Sequence, residues 1–420
     1  MNAYEEALAE GEKRAVVYGG SEEMRAALKT VFRRMKDGEA VKVIFLGASS
    51  MAGAGGTALH SYAELLTQYF HAMNGNPAVV NVTALNHSIG STESRYGATR
   101  AERDAFSLCP DLLFVGHSQN DSDSEYSTEA YESILSRARA LKIPVINCLA
   151  GDTDGHVGIV VENQLAVNRR YGVPVLSFWH ALGEFSKTTD IEALQTKALW
   201  LFDNAHLNDA GHALFAAMIE HYIEGLFKDP ATEDGTIGKP ASDFGNEPAG
   251  AFACKETPLW QPLPEVTENR FTDAVLVDRA IEARCHEECS ARNPRIEIRT
   301  DGWEPYSARM WMKQNFSGPQ LSEEGWQTKK PGSRITFEFE AGYFWFLMHV
   351  KPNSGTLEIR VDGEVKALLS RTGTGYPNVI QVLHDASPAH HTVTLTLLKN
   401  PEIPDAFFGI ICAGVSNFRL

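Results

Sequence analysis

Val41-Lys42-Val43-Ile44-Phe45-Leu46, followed by Gly47-Ala48-Ser49-Ser50, is the stretch from which the rest of this chain can be read. The first six residues form an almost unbroken apolar run, the pattern of a central strand covered on both faces in a parallel sheet. The small residues that follow let the backbone turn tightly and expose a hydroxyl at the start of a helix. An α/β protein presents a nucleophile at such a place.

The flanking sequence alternates in the same way. Glu22 to Lys36 carries Met24, Leu28, Val31, Phe32 and Met35 at helical spacing, which predicts an amphipathic helix. Tyr62 to Met73 predicts a helix, Val79 to Leu85 a strand, Asp111 to Val115 a strand and Thr128 to Leu141 a helix. Pro144 to Leu149 and Pro174 to Phe178 complete the strand set, and Ala210 to Phe227 closes the unit as a helix. Alternation of this kind over residues 1–228 predicts an α/β domain, a flavodoxin-like three-layer α/β/α arrangement around a parallel sheet. Ligands of such sheets bind at the carboxyl ends of the strands.

Composition changes after Lys228. Residues 229–264 are rich in Pro, Gly, Asp and Glu and read as a linker. Over residues 265–420 a period of two takes over, most cleanly in Arg334-Ile335-Thr336-Phe337-Glu338-Phe339-Glu340. Leu357 to Val361, then Asp362-Gly363, then Glu364 to Leu368 predicts a hairpin with a tight turn. Val379 to Leu383, Thr392 to Leu398 and Phe408 to Val415 read as further strands, giving an antiparallel β-sandwich of jelly-roll type.

At 420 residues the chain has room for two domains, and its 43% hydrophobic content supports full cores. A formal net charge of −16 argues against a nucleic-acid or anionic-membrane partner, either of which needs a basic face. No run approaches the roughly 18 apolar residues of a membrane span. Met1 to Glu12 is acidic and lacks an apolar core, so a cytoplasmic location is expected. The six cysteines are sparse and show no disulfide framework. Cys285-His286-Glu287-Glu288-Cys289 has half the spacing of a metal site and no matching second pair, so neither a metal nor a cofactor is expected.

Four separated segments end or follow strands and carry candidate chemistry. Gly47 to Gly56 offers the Ser49 and Ser50 hydroxyls, without the spacing of a phosphate loop. Asn86-His87-Ser88-Ile89-Gly90 offers a glycine whose N–H can point into a site unobstructed. Gly116-His117-Ser118-Gln119-Asn120-Asp121 offers an amide donor in Asn120. Asp203-Asn204-Ala205-His206 places a carboxylate three residues before a histidine, the pair that holds an imidazole in one tautomer. Taken singly, each segment reads equally well as an ordinary turn or helix cap.

Taken together, in this order, they resemble the SGNH (GDSL-type) hydrolase family, over roughly residues 38–226. The family's four blocks match Ser49, Gly90, Asn120, and Asp203 with His206. The resemblance implies a Ser49–His206–Asp203 triad and an oxyanion hole from the Ser49 and Gly90 N–H groups and the Asn120 side chain. The family's GDS reads Gly47-Ala48-Ser49, and its second block reads Asn86-His87-Ser88-Ile89-Gly90-Ser91. Ser50 competes as nucleophile, but the downstream glycines align better with Ser49.

A hydrolase domain followed by a sandwich resembles the two-domain carbohydrate esterases of that family. That likeness implies removal of O-acetyl groups from acetylated oligosaccharides. His117 is expected to touch substrate because of its position, and Trp311 and Trp326 are expected to offer aromatic faces to sugars. Other readings stay open: a thioesterase or lysophospholipase of the same fold, or a non-catalytic glycan-binding protein. The sequence leaves the oligomeric state undecided, a homo-oligomer included.

Overall fold

In the computed structural model the described residues are 14–57, 59–122, 125–149, 157–182, 200–203, 205–228, 296–308, 323–370, 372, 377–383 and 389–416. They fall into two compact units. The expected linker, Trp311 and the Cys285 to Cys289 segment lie outside the described residues.

The first unit runs β1 (Val16–Tyr18), α1 (Glu22–Lys36), β2 (Val41–Gly47), α2 (Ser49–Ala52), α3 (Tyr62–Ala72), β3 (Val82–Asn86), α4 (Ser94–Asp104), β4 (Leu112–Gly116), α5 (Glu125–Ala140), β5 (Val145–Leu149), α6 (Val157–Tyr171), β6 (Val175–Ser177), α7 (Phe178–Leu182) and α8 (Asp209–Gly225). Its sheet has the order β1-β6-β5-β4-β2-β3. Strands β2 to β6 are parallel, and β1 joins the β6 edge antiparallel. Parity along the strands explains the layers. Val43, Phe45, Leu112, Phe114, Ile146 and Cys148 join one core with Leu28, Phe32, Leu66, Phe70 and Phe215 from α1, α3 and α8. The alternate residues Ile44, Leu46, Leu113, Val115 and Val145 are equally buried, and Leu149 packs with Val161 of α6. Both faces of the sheet are therefore covered, which is why the strands read as continuous apolar runs.

The helix ends follow from local chemistry. Ser21 caps α1 by accepting from the Met24 N–H at 3.2 Å. Glu22 and Glu23 occupy its first turn and Arg33, Arg34 and Lys36 its last, each complementing the helix dipole. Helix α3 is capped in the same way by Ser61, which accepts from Glu64 N–H. The direction of chain progression reverses at β2, which lies between β3 and β4. That switch point opens a crevice at the carboxyl ends of β2 and β4, where ligands of such sheets bind.

The second unit is all β. One sheet has the order β13-β12-β15-β10-β7, with β7 (Ile296–Asp301), β10 (Arg334–Ala341), β12 (Thr356–Val361), β13 (Glu364–Ser370) and β15 (Ala389–Leu397). The other has the order β14-β11-β16-β9-β8, with β8 (Glu304–Ala308), β9 (Glu323–Thr328), β11 (Tyr343–His349), β14 (Pro377–Leu383) and β16 (Phe408–Ser416). All pairings are antiparallel. The sheets share one core, in which Phe339 of β10 stacks on Phe344 of β11 with centroids 5.1 Å apart. The Asp362-Gly363 turn has φ of 53° and 85°, the double left-handed conformation of a tight hairpin. Trp326, expected to offer an aromatic face to sugar, is 2% exposed and meets Phe337 edge-on, so alternation along β9 points it into the core. Trp303 and Trp345 are buried too.

No described helix is long and apolar enough to cross a membrane.

Candidate active site

Ser49 opens α2 directly after β2 and is half-buried. Gly47 is required at the strand end, because a Cβ there would lie 2.5 Å from the Gly116 carbonyl oxygen of β4. That close approach is sealed by the Ala48 N–H, which donates to Gly116 O at 2.8 Å. The turn thus delivers Ser49 at the switch point.

His206 reaches the same point from a turn whose bonds are internal. Leu201 and Leu207 form an isolated antiparallel bridge, and the Phe202 N–H donates to His206 O at 2.9 Å. Asp203 Oδ1 accepts from the N–H groups of Ala205 and His206, both at 2.7 Å. Its Oδ2 accepts from His206 Nδ1 at 2.8 Å. Asn208 then caps α8, accepting from Gly211 N–H at 2.9 Å. On the far side of the imidazole, His206 Nε2 stands 2.9 Å from Ser49 Oγ. The three side chains are therefore hydrogen-bonded in the order Ser49, His206, Asp203.

Burial pushes the Asp203 pKa up, but the bonds from the His206 ring and the Ala205 and His206 N–H groups outweigh it and hold the carboxyl below its ordinary 3.8. An ionised Asp203 assigns the imidazole proton to Nδ1 and leaves Nε2 as the acceptor for the Ser49 O–H.

The glycine-rich loop after Ser49 fits beneath this turn. Gly55 has φ of 87°, and a Cβ there would lie 2.3 Å from Leu207 O. Asp209, at the start of α8, holds the loop by accepting from Thr57 N–H at 2.6 Å and Thr57 Oγ1 at 2.8 Å. His212 accepts from Tyr62 N–H at Nδ1 (3.2 Å) and donates from Nε2 to Ala54 O (3.3 Å). Burial lowers its pKa to about 4, so it stays neutral and serves as a fixed strut. Neither Asp209 nor His212 is evident from sequence, since each acts on a loop about 150 residues upstream.

Gly90 and Asn120 flank the same strand ends. Ile89 N–H donates to Gly47 O at 2.9 Å, which lays the Gly90 segment along the end of β2. Asn86, the last residue of β3, donates from Nδ2 to Met51 O at 2.8 Å and accepts from Ser88 N–H at 3.0 Å. Gly90 is buried, and Asn120 is exposed in the turn after β4. His117, expected to touch substrate, is fully buried, and its ring packs so closely on Gly97 that a Cβ there would lie 2.4 Å from Nε2. His87 is buried as well, with Nδ1 against Asp104 O at 2.5 Å, and His180 packs its Nδ1 on Ser177 Oγ at 2.8 Å. His60 meets Thr57 Oγ1 at 3.1 Å. Among the described residues no group of three or more His, Cys, Asp or Glu could hold a metal ion.

A serine at the switch point of a parallel sheet, backed by an imidazole and a carboxylate, is an arrangement chemically able to make a hydroxyl nucleophilic. Residues 45–214 match the model of the GDSL-like Lipase/Acylhydrolase family. No curated protein matches the sequence. Two solved structures resemble nearly the whole chain. One is a two-domain esterase (CEX) active on acetylated mannans, co-crystallised with mannopentaose: 20% identity, 97% of this chain and 98% of that one covered, TM-score 0.71. The other is likewise a two-domain esterase (CEX) active on acetylated mannans: 21% identity, 97% of this chain and 99% of that one covered, TM-score 0.71. At these identities the likeness establishes the fold alone, a parallel-sheet α/β domain followed by antiparallel β-sheets.

Proposed function

We propose that the chain is a serine esterase that removes O-acetyl groups from carbohydrate through an acyl-enzyme. The observation that carries the reading is the His206 imidazole, 2.9 Å from Ser49 Oγ on one nitrogen and 2.8 Å from Asp203 on the other. His206 Nε2 takes the Ser49 proton as Oγ attacks the acetyl carbonyl. Asp203 holds the imidazolium that forms. The Ser49 and Gly90 N–H groups and the Asn120 amide donate to the oxyanion, each donor contributing about 3 kcal/mol to the transition state. His206 then protonates the departing sugar oxygen, and water, deprotonated by the same imidazole, hydrolyses acetyl-Ser49. The whole-chain likeness to an esterase active on acetylated mannans supports a carbohydrate substrate, an acetylated oligosaccharide.

The test is acetate release by the purified full chain from acetylated manno- and xylo-oligosaccharides, beside p-nitrophenyl esters of increasing chain length. Turnover of the acetylated sugars, lost in Ser49→Ala, is expected. Silence on every acetylated sugar with turnover of long acyl esters makes the protein a lipid or thioester acylhydrolase instead.

A further inference from the structure

Asn120 stands between two side chains that reach to different parts of the site. Asp121 turns toward α4. Its Oδ1 accepts from Ser94 N–H at 2.5 Å, and its Oδ2 accepts from Ser94 Oγ and Gln164 Nε2, both at 2.6 Å. Ser94 is the first residue of α4 and follows Gly90 by four positions. The N-cap residue of that helix, Glu93, makes no side-chain capping bond, so Asp121 supplies the hydrogen-bond acceptor at this N-terminus from another strand's loop. Gln119 turns the opposite way and donates from Nε2 to Ala205 O, inside the turn that carries Asp203 and His206. The tripeptide is itself closed by the N–H groups of Asn120 and Asp121 on His117 O, at 3.0 and 3.3 Å.

We propose that Gln119 and Asp121 are positioning residues that brace Asn120 against the rest of the site. Asp121 fixes the segment that presents the Gly90 N–H, and Gln119 fixes the turn that presents His206. The inference rests on the esterase reading above. Neither side chain touches the reacting atoms. Both work on distances, and a misplacement of about 1 Å costs as much as a hundredfold in rate. Burial lifts the Asp121 pKa to about 7 against the pull of the Ser94 and Gln164 bonds.

The test uses the full chain and p-nitrophenyl acetate. Asp121→Ala and Gln119→Ala are each expected to lower kcat about tenfold to a hundredfold with KM within about twofold. Asp121→Asn restores most of the loss, since its oxygen still accepts from Ser94 N–H and its amide can donate to Ser94 Oγ. The two braces separate in the Asn120→Ala background. There Asp121→Ala costs less than in the wild type, because part of the hole it serves is already gone, whereas Gln119→Ala, acting through His206, multiplies in full. Wild-type kcat in both alanine variants, or full multiplication of Asp121→Ala with Asn120→Ala, overturns the proposal. Amide hydrogen exchange supplies a readout without turnover: faster exchange is expected over 89–97 in Asp121→Ala and over 205–208 in Gln119→Ala. If the wild type itself hydrolyses no ester, the esterase reading fails. The bracing is then judged by exchange alone, and unchanged exchange in both variants overturns it.

Discussion

Replacing Asp203 separates two ways of losing an acid beside a base. Oδ1 of Asp203 already receives two backbone N–H groups, from Ala205 and His206 at 2.7 Å, while Oδ2 receives the imidazole at 2.8 Å. In Asp203→Asn the amide oxygen is drawn to the two N–H donors, so the NH₂ faces His206 Nδ1. That forces the proton onto Nε2, which then donates toward Ser49 and cannot accept its proton. A wrong tautomer of this kind costs on the order of 10⁴ in kcat. Asp203→Ala imposes no tautomer and loses only the charge and the orientation. Two unit charges 4 Å apart attract by about 1 kcal/mol in water and about 4 kcal/mol near a protein surface. With Asp203 44% and His206 27% exposed, the lower half of that range applies, because solvent screens the pair. At about 1.4 kcal/mol per decade this is a loss of about fivefold to sixtyfold. The smaller side chain is therefore expected to be the more active variant. Steady-state kcat on p-nitrophenyl acetate, measured for both variants at one pH, decides it. An Asp203→Asn enzyme as active as Asp203→Ala, or more so, refutes the tautomer argument.

Three further outcomes follow from geometry already described. Gly55→Ala places a Cβ 2.3 Å from Leu207 O at a φ of 87°, so it is expected to destabilise the α/β unit by about 1–3 kcal/mol in thermal unfolding and to lower kcat by displacing His206. Trp326→Ala empties the sandwich core and is expected to destabilise the β unit by about 3–5 kcal/mol, read from denaturant unfolding. Asp121 binds its proton more tightly folded (about 7) than unfolded (3.8), so the folded state holds the extra proton between these values. Its contribution to stability is therefore largest below about pH 4 and falls as pH rises toward 7, by at most about 1.4 kcal/mol per pH unit. Asp121→Asn should remove that fall, seen by comparing unfolding midpoints of the two proteins at pH 5 and pH 7.

What could be read from sequence was what is local. Val41 to Leu46 announces its strand because both faces are buried, and Asp203 with His206 announces a pair because three residues of one turn close it. The three-residue strand Val16–Tyr18 escaped, being too short to show a period, and so did α4, whose Arg- and Glu-rich sequence lacks an apolar stripe. The expected strand from Val79 begins three residues later, at Val82, with Val80 left 74% exposed. The burial of His117 and Trp326 is not legible locally because their environments come from elsewhere: Gly97 for one, the facing sheet's Phe337 for the other. The bonds of Gln119 and Asp121 span 86 and 27 positions, which no local pattern encodes.

The turn from Leu201 to Leu207 carries the carboxylate and the imidazole on one closed piece of backbone. A shift of that loop moves both partners as a rigid body. Thermal motion then modulates a single separation, that between imidazole and hydroxyl, while the ionic partnership behind it stays intact. Such an arrangement makes activity sensitive to whatever displaces the loop relative to Ser49, while the pairing of Asp203 with His206 is spared.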